Sequence, residues 1–279
     1  MQTLKNKIPK PLKNAIKTVF QITKRIAWLL KRKMKRVVRH FVQASYKDVY
    51  SFAILCVKKS VYVDMAIDNI NSLHYLNPNH TVTIYCDTIC FEYLSKRKNY
   101  FDYKEKVTFR KIENDFKISE KPWQYNKIET LIEASKNDQI LTDADGIWHN
   151  DPVVDKGKIT LLVIVNKIKD KPLELDLAQK IIAGNSVTEF NHYVSGFVSL
   201  PSKFLNFKLE NELRLFNDKI QSTATNDELR RLSEELSVSL AIQNNYRQKD
   251  IAVLKNEDGP GDKKSLESFY YGCLNQINK

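Results

Sequence analysis

Apolar and polar residues follow two alternating patterns along most of this chain. Short apolar runs at 51–57, 81–87 and 139–142 are bounded by turn residues, which predicts buried strands. Between these runs, apolar residues recur at helical spacing over 63–75 and 125–135. Alternation of strands and helices predicts an α/β domain with a mainly parallel sheet flanked by helices.

The second half of the chain continues both patterns. Residues 208–247 are charged and have helical spacing, with Asn226 and Asp227 predicted to cap a helix over 228–245. The predicted strands of this half are 159–165, 192–200 and 251–254.

A different pattern, basic and amphipathic, precedes this domain. Apolar residues recur at helical spacing, Lys and Arg fill most of the gaps, and a helix over about 11–42 would be ~48 Å long at ~1.5 Å per residue. No run of about 20 apolar residues exists there, which excludes an ordinary transmembrane span. A basic amphipathic helix that includes Trp28 is typical of a membrane interface. We therefore predict a membrane-associating helix over 1–45 and a separate domain over 46–279.

Net charge agrees with this division. The chain carries 45 basic and 33 acidic residues, a net charge of +12, but residues 1–40 hold thirteen of the basic residues and no acidic one. The rest of the chain is therefore close to neutral, at −1. The basic segment over 1–45, called the head from here on, could instead pack on the domain, bind nucleic acid or act as a transit peptide. We expect no nucleic-acid partner, because no helix-turn-helix or aromatic stacking motif is present, and the length and Lys excess argue against a transit peptide.

The most informative motif is Asp143-Ala144-Asp145, which ends the apolar run at 139–142. Carboxylates at the end of a buried strand lie where α/β proteins bind ligands. Two such groups suit a hard divalent cation, Mn2+ or Mg2+, which in turn binds phosphates. A plain turn is the alternative, because Asp and Gly are common in turns.

In its surroundings, this motif resembles the metal-binding D-x-D of GT-A fold glycosyltransferases. A helix, a short turn and an apolar strand precede it, and Asp151-Pro152 follow it. Downstream, Tyr193-Val194-Ser195-Gly196-Phe197 is similar to a strand of the family 8-like enzymes. The resemblance covers roughly residues 50–250, and the order of the motifs carries it more than any single one.

The resemblance implies a Rossmann-like nucleotide-sugar binding fold and a set of donor-binding residues. Asp87, after the second strand, would hold the nucleotide base, and Ser195 and Gly196 would lie beside the donor. Lys127 matches a region where such enzymes place a basic residue; an exposed helix lysine is the alternative.

Two further donor-binding candidates come from the residues themselves. Trp123 could stack on a base or sugar, or only fill the core. Lys263 lies in a Gly-rich loop that could close over a diphosphate or be a solvated turn.

The predicted metal ligands are Asp143 and Asp145. Many metal-dependent relatives bring a third ligand, often His, from near the C-terminus, whereas the last His here is His192. Asp258, Asp262 or a water would have to replace it.

Asp145 and Glu235 are the predicted catalytic residues. An inverting transferase needs a carboxylate base, for which Glu234 and Glu235 are candidates, although both could be helix charges that face water. A retaining enzyme needs no such base, and the Ser195-Gly196 strand favours the retaining group.

The predicted function is transfer of a sugar from a nucleotide donor, a UDP-sugar, to a lipid-linked or cell-surface glycan acceptor. The main alternative is a haloacid dehalogenase-like phosphatase, with Asp143 as nucleophile and Asp145 as acid/base, because D-A-D-G also resembles the first motif of that family. A non-catalytic membrane-bound adaptor is a third possibility.

We predict a cytoplasmic protein, peripheral on the inner face of a membrane that residues 1–42 bind. The four cysteines, Cys56, Cys86, Cys90 and Cys273, show no zinc spacing, which favours buried free thiols in a reducing compartment.

Overall fold

A computed structural model describes residues 48–112, 123–148, 151–165, 172–182, 189–224 and 226–254 of the chain. All of them belong to one compact unit, Asp48–Asp262. The predicted head lies outside the described residues, so its membrane role stays a prediction. The predicted loop that contains Asp258, Asp262 and Lys263 also lies outside them.

Seven strands of the described residues form one sheet in the order β3-β2-β1-β4-β6-β5-β7. Neighbouring strands pair in parallel except around β6, which is antiparallel to both β4 and β5. The prediction of a mainly parallel sheet is therefore confirmed. The strands are β1 Ser51–Cys56, β2 Thr81–Cys86, β3 Val107–Lys111, β4 Ile140–Thr142, β5 Ile159–Val165, β6 His192–Ser199 and β7 Ile251–Leu254.

Helices cover both faces of this sheet, as predicted. Val63, Ile70 and other apolar residues of α1 and α2 pack on one face, while α3, α4, α5 and α7 pack on the other. The helices are α1 Val61–Leu76, α2 Thr88–Arg97, α3 Trp123–Lys136, α4 Pro172–Ile181, α5 Phe207–Thr223, α6 Asp227–Arg231 and α7 Ser233–Asn245.

Successive side chains of β1 point to opposite faces of the sheet. Phe52 and Ile54 are fully buried under α1, and Ala53 is fully buried on the opposite side. Burying a large apolar side chain contributes about 1.5–3 kcal/mol. A strand buried on both faces has an almost continuous apolar sequence, which is why the pattern predicted it well.

The prediction of one continuous helix over 228–245 is wrong, because the chain forms two helices there, α6 and α7, with a break at Leu232. Asn226 does cap its start, accepting from the Leu229 backbone N–H at 2.8 Å. At the break, Gln124 and Gln221 donate to the carbonyl of Arg230 at 3.2 and 2.9 Å. Side chains that replace lost helical hydrogen bonds make such a break tolerable.

Three of the four cysteines, Cys56, Cys86 and Cys90, are buried free thiols, as predicted, and Cys273 lies outside the described residues. Burial raises the pKa of the Cys86 thiol to about 12, so this thiol stays protonated and unreactive. No helix in the described part of the chain combines the length and the apolar character needed to cross a membrane.

Candidate active site

Strand pairing brings three chain segments to one edge of the sheet. β1 and β4 run in parallel with Ile54 opposite Thr142, so the loop after β1 and the D-x-D motif after β4 emerge side by side. β6 runs the other way with Phe197 opposite Thr142, and this places Ser195 and Gly196 at the same edge. The edge is the carboxyl end of the parallel strands, where α/β folds bind ligands.

A cavity of about 510 Å³ opens at this edge. It has the volume of a small-molecule site. Its walls come from the loop after β1, the start of α3, the D-x-D turn and the start of α7. The lining residues are Leu55, Val57, Lys58, Lys59, Tyr62, Trp123, Lys127, Leu141, Thr142, Asp143, Asp145, Arg231, Glu234 and Glu235.

Lys127 lies at the centre of the polar wall and is buried, so an exposed helix lysine is excluded. Its Nζ is 2.6 Å from Asp143 Oδ1 and donates to Ser195 Oγ at 2.8 Å. Glu234 Oε1 is 3.9 Å away. Burial opposes the charge, but Asp143, whose carboxylate is the nearest partner, outweighs it and raises the pKa of Lys127, which therefore stays an ammonium.

Trp123 stands at the mouth of the cavity and does not fill the core, since 37% of it is exposed. The Lys127 Nζ lies 5.8 Å from the centre of its ring, within the range of a cation–π contact. An aromatic face beside a fixed positive charge suits a flat or ring-shaped anionic ligand.

Glu234 is buried, contrary to the expectation of a water-facing helix charge. Its Oε1 accepts from Ser195 Oγ at 3.4 Å, while its Oε2 has no hydrogen-bond partner among the described residues. Burial, which outweighs the opposing charge of Lys127, raises the pKa of Glu234 to about 8, with Glu235 adding to the effect. A carboxyl group with this pKa is largely protonated at neutral pH.

Glu235, the next residue, is held by a histidine. His192 Nε2 lies 2.9 Å from Glu235 Oε2, and the side chain of Glu235 is only 14% exposed. The first turn of α7 thus presents two adjacent glutamates to the cavity with different partners. Sequence reasoning missed His192, because a histidine at the start of an apolar strand gives no local signal of its partners.

Gly196 is required by the close approach of Asp143. A Cβ at position 196 would lie 3.0 Å from Asp143 Oδ2 and 3.4 Å from Val194 Cγ1. The Asp143 backbone N–H also donates to the Gly196 carbonyl at 3.1 Å. Glycine therefore leaves the space in which the Asp143 carboxylate lies.

The D-x-D turn is tied to α1 by a residue that the motif did not suggest. Asn69 is fully buried and donates to the Asp143 carbonyl at 2.7 Å. Its Oδ1 accepts from Trp148 Nε1 at 2.9 Å, and Ser72 Oγ accepts from the Trp148 backbone N–H at 3.0 Å. Both ends of the turn are thereby fixed to one helix.

Asp87, the predicted base-binding residue, is not one of the residues that line the cavity. Its carboxylate caps α2 by accepting from the Cys90 backbone N–H at 2.8 Å and accepts from the Lys58 backbone N–H at 2.6 Å. Each oxygen thus accepts from one backbone amide, and contact of Asp87 with a donor stays a prediction. Lys58, held in this way, has a φ of 70° and leads into the lysine pair of the cavity wall.

Arg231, Tyr62 and the pair Lys58-Lys59 also line the cavity without having been predicted. Only the lysine pair had a usable signal, since it directly follows β1 at the ligand-binding edge. Arg231 is the last residue of α6, next to the break before α7 that the sequence pattern did not indicate.

The oxygen ligands at Asp143 and Asp145 fit a hard divalent cation. The side chain of Asp143 remains 40% exposed although Lys127 contacts one oxygen, and Gly196 keeps space beside the other. No group of three His, Cys, Asp or Glu side chains in the described part of the chain could hold a metal. A bound ion would therefore need water or ligand oxygens in addition to these two residues.

No protein-family model matches the chain, and no curated protein sequence matches it. Similar solved structures include the galactosyltransferase LgtC in complex with donor and acceptor sugar analogues, with 8% identity, 74% of this chain and 73% of that chain covered, and a TM-score of 0.48. Mouse xyloside xylosyltransferase 1 shows 11% identity, 75% and 86% coverage, and a TM-score of 0.45.

A mannosyltransferase from Pyrobaculum calidifontis, in complex with GDP-Man and Mn2+, shows 10% identity, 86% and 67% coverage, and a TM-score of 0.38.

Proposed function

We propose that this chain is a GT-A type glycosyltransferase, which moves a sugar from a UDP-sugar to a lipid-linked or cell-surface glycan acceptor. One observation carries the proposal. The two D-x-D residues line a cavity of about 510 Å³ together with a buried ammonium and two helix-start glutamates. A leaving diphosphate is stabilised by positive charge and by a hard cation that carboxylates hold. A sugar hydroxyl that attacks needs a carboxylate to accept its proton. The residues that line this cavity include candidates for each of these tasks.

Asp143 and Asp145 would hold Mn2+ or Mg2+, which when bound supplies Lewis-acid stabilisation of the leaving diphosphate. Lys127 adds a permanent positive charge on the same wall, and Lys58, Lys59 and Arg231 extend it. In this proposal Trp123 stacks on the base or the sugar of the donor, because its ring is exposed at the mouth.

The two glutamates have distinct roles in this proposal. Glu235 is the carboxylate that accepts a proton from a sugar hydroxyl. Glu234, with a pKa of about 8, is largely protonated at neutral pH and donates a hydrogen bond to a neighbouring sugar oxygen. The basic head over 1–42 holds the enzyme on the cytosolic face of a membrane, near lipid-linked acceptors.

Release of free nucleotide from a panel of nucleotide sugars, with Mn2+ present, tests this proposal. We expect turnover with at least one UDP-sugar. Asp145→Asn should lower the rate by about 100-fold or more, because removing one group that stabilises developing charge costs on that order. Asp176→Asn, on an exposed side chain paired with Lys180, is the matched control and should keep the wild-type rate.

Two results would contradict the proposal. Unchanged turnover in Asp145→Asn would remove the D-x-D motif from the site. A covalent aspartyl-phosphate at Asp143 would instead establish the phosphatase, which no observation on the described residues favours.

A further inference from the structure

His192 is a buried histidine between two carboxylates. It is the first residue of β6, and its side chain is 3% exposed. Its Nε2 lies 2.9 Å from Glu235 Oε2, on α7. On the other side its Nδ1 lies 3.5 Å from Glu174 Oε2, on α4, an ion-pair contact that is longer than a hydrogen bond.

These contacts keep the ring positively charged. Burial alone would lower the pKa of His192, but Glu174 and Glu235 raise it to about 9. At neutral pH the imidazolium therefore faces a carboxylate on each side. A charge-assisted hydrogen bond of this kind is shorter and stronger than a neutral one and fixes the orientation of its partner.

Glu235 also belongs to the cavity wall, whereas His192 does not. The histidine thus lies behind the carboxylate, on the side away from the ligand space. We infer that His192 is a positioning residue, which fixes the orientation of the Glu235 side chain at the cavity wall for contact with a sugar hydroxyl. This inference rests on the proposed glycosyl transfer.

A second buried histidine in the same domain serves as the structural comparison. His80 Nε2 lies 2.7 Å from Asp151 Oδ1, and its Nδ1 accepts from the Tyr50 backbone N–H at 3.1 Å. Burial lowers the pKa of His80, and the accepting Nδ1 requires a neutral ring. His80 does not line the cavity.

Three variants of the full chain separate positioning from stability. His192→Phe removes the hydrogen bond and the charge, His192→Gln keeps a donor near the place of Nε2, and His80→Gln disturbs the other buried histidine. We expect kcat for donor turnover to fall about 10- to 100-fold in His192→Phe, since small misplacement of a reacting group costs up to about that much. His192→Gln should recover part of this loss, and His80→Gln should lower the melting temperature but not kcat.

Binding is measured separately from turnover. UDP affinity by calorimetry should remain within about twofold in the His192 variants, because the histidine is not in the cavity wall. The His192 ring, followed by NMR, should titrate near pH 9 in the wild type and at lower pH in Glu235→Gln, because the two groups are coupled.

Each contrary result has its own meaning. A ring that titrates at the ordinary histidine value, or is unaffected by Glu235→Gln, would show that the pair does not form and overturn the inference. An unchanged kcat in His192→Phe would show that His192 is only a structural residue. The same conclusion would follow if kcat fell in all three variants in proportion to the loss of melting temperature. If the wild type turns over no nucleotide sugar while the NMR coupling is intact, the proposed transfer itself fails, and the positioning role of His192 in that transfer fails with it.

Discussion

Asp143 and Asp145 are one residue apart, yet their surroundings differ. Asp143 is the close partner of the buried Lys127, with 2.6 Å between the charged atoms. Removing Asp143 is costly, because the charge of the buried Lys127 would remain without its closest partner. The sequence alone treats the two aspartates as equivalent strand-end carboxylates, whereas in the structure Asp143 also stabilises the fold.

Gly196→Ala tests the packing around Asp143. The new Cβ would lie 3.0 Å from Oδ2 of a carboxylate that Lys127 already holds, so the carboxylate has to shift. We expect kcat/KM for donor turnover to fall about tenfold, because displaced reacting groups lose rate steeply. Gly157→Ala is the matched control, since its Cβ would meet only the exposed Asp155 carboxylate, which can rotate away. Equal activity in both variants would argue against a fixed Asp143.

Glu234 gives a pH dependence of stability with a definite sign. Its pKa is raised from 4.5 in the unfolded chain to about 8 in the folded protein. Between these values the folded state holds a proton that the unfolded state has lost, so this group makes the free energy of unfolding fall as pH rises. Below about pH 4.5 and above about pH 8 its contribution is constant.

Glu234→Gln should remove that fall. In urea titrations of metal-free protein, we expect the variant to gain stability relative to the wild type between pH 5 and pH 9. Glu133→Gln, which removes an exposed partner of Arg110, should change stability by less than about 1 kcal/mol at both pH values. A constant difference between Glu234→Gln and the wild type across this range would show that Glu234 titrates normally.

At the scale of elements, the antiparallel strand β6 assembles much of the site. Its first five residues include His192, Ser195 and Gly196, and they lie toward the edge at which β1 and β4 end. A parallel strand in the same place would present its carboxyl end there, with other residues. The break between α6 and α7 has a similar effect, because it starts a new helix at Ser233 and places Glu234 and Glu235 in its first turn.

The link from α1 to the D-x-D turn supports the next prediction. Asn69→Ala would leave the Asp143 carbonyl and the Trp148 indole N–H without their partner. Each unsatisfied buried group costs about 1–3 kcal/mol, so we expect a loss of roughly 2–4 kcal/mol in the free energy of unfolding.

Asn79→Ala, at an exposed position just after the same helix, should cost less than about 0.5 kcal/mol. Chemical denaturation of both variants measures the difference. Donor turnover should also fall in Asn69→Ala alone, because the turn that carries both aspartates loses one of its fixed ends. Wild-type turnover in that variant would show that the turn holds its conformation without Asn69.

At the scale of the whole molecule, the separation of charge along the chain supports a test of the head. Deleting residues 1–42 removes a segment with thirteen Lys and Arg and no acidic residue before position 40. Each basic residue near an anionic leaflet contributes about 1 kcal/mol to binding. We expect the truncated protein to lose co-sedimentation with anionic vesicles but to keep hydrolysis of free donor.

The same experiment includes its controls. Binding of the full chain should weaken with added salt, because the Debye length shortens to about 3 Å at 1 M. Neutral vesicles should bind much less. If the truncated protein sediments with anionic vesicles as the full chain does, or is insoluble, the head is a structural helix instead of a membrane anchor.

The sequence by itself determined those features that depend on neighbours along the chain. Apolar runs and helical spacing specified most elements of the α/β fold, because burial of a strand or a helix face leaves a local pattern. The same locality identified the aspartates at the end of β4, since a polar pair directly after a buried strand stands out. The resemblance to GT-A enzymes, and not a local pattern, added Lys127, Ser195 and Gly196 to the candidates, and the need for a carboxylate base added Glu235.

Only the tertiary structure decided what those residues contact. The burial of Lys127 against Asp143, the pairing of His192 with Glu235, and the Asn69 link each join residues that are 16 to 74 positions apart. The capping contacts of Asp87 have the same origin, because its oxygens meet backbone amides from two segments. The energy of these contacts depends on distance and burial in three dimensions, and neither leaves a periodic trace in the sequence.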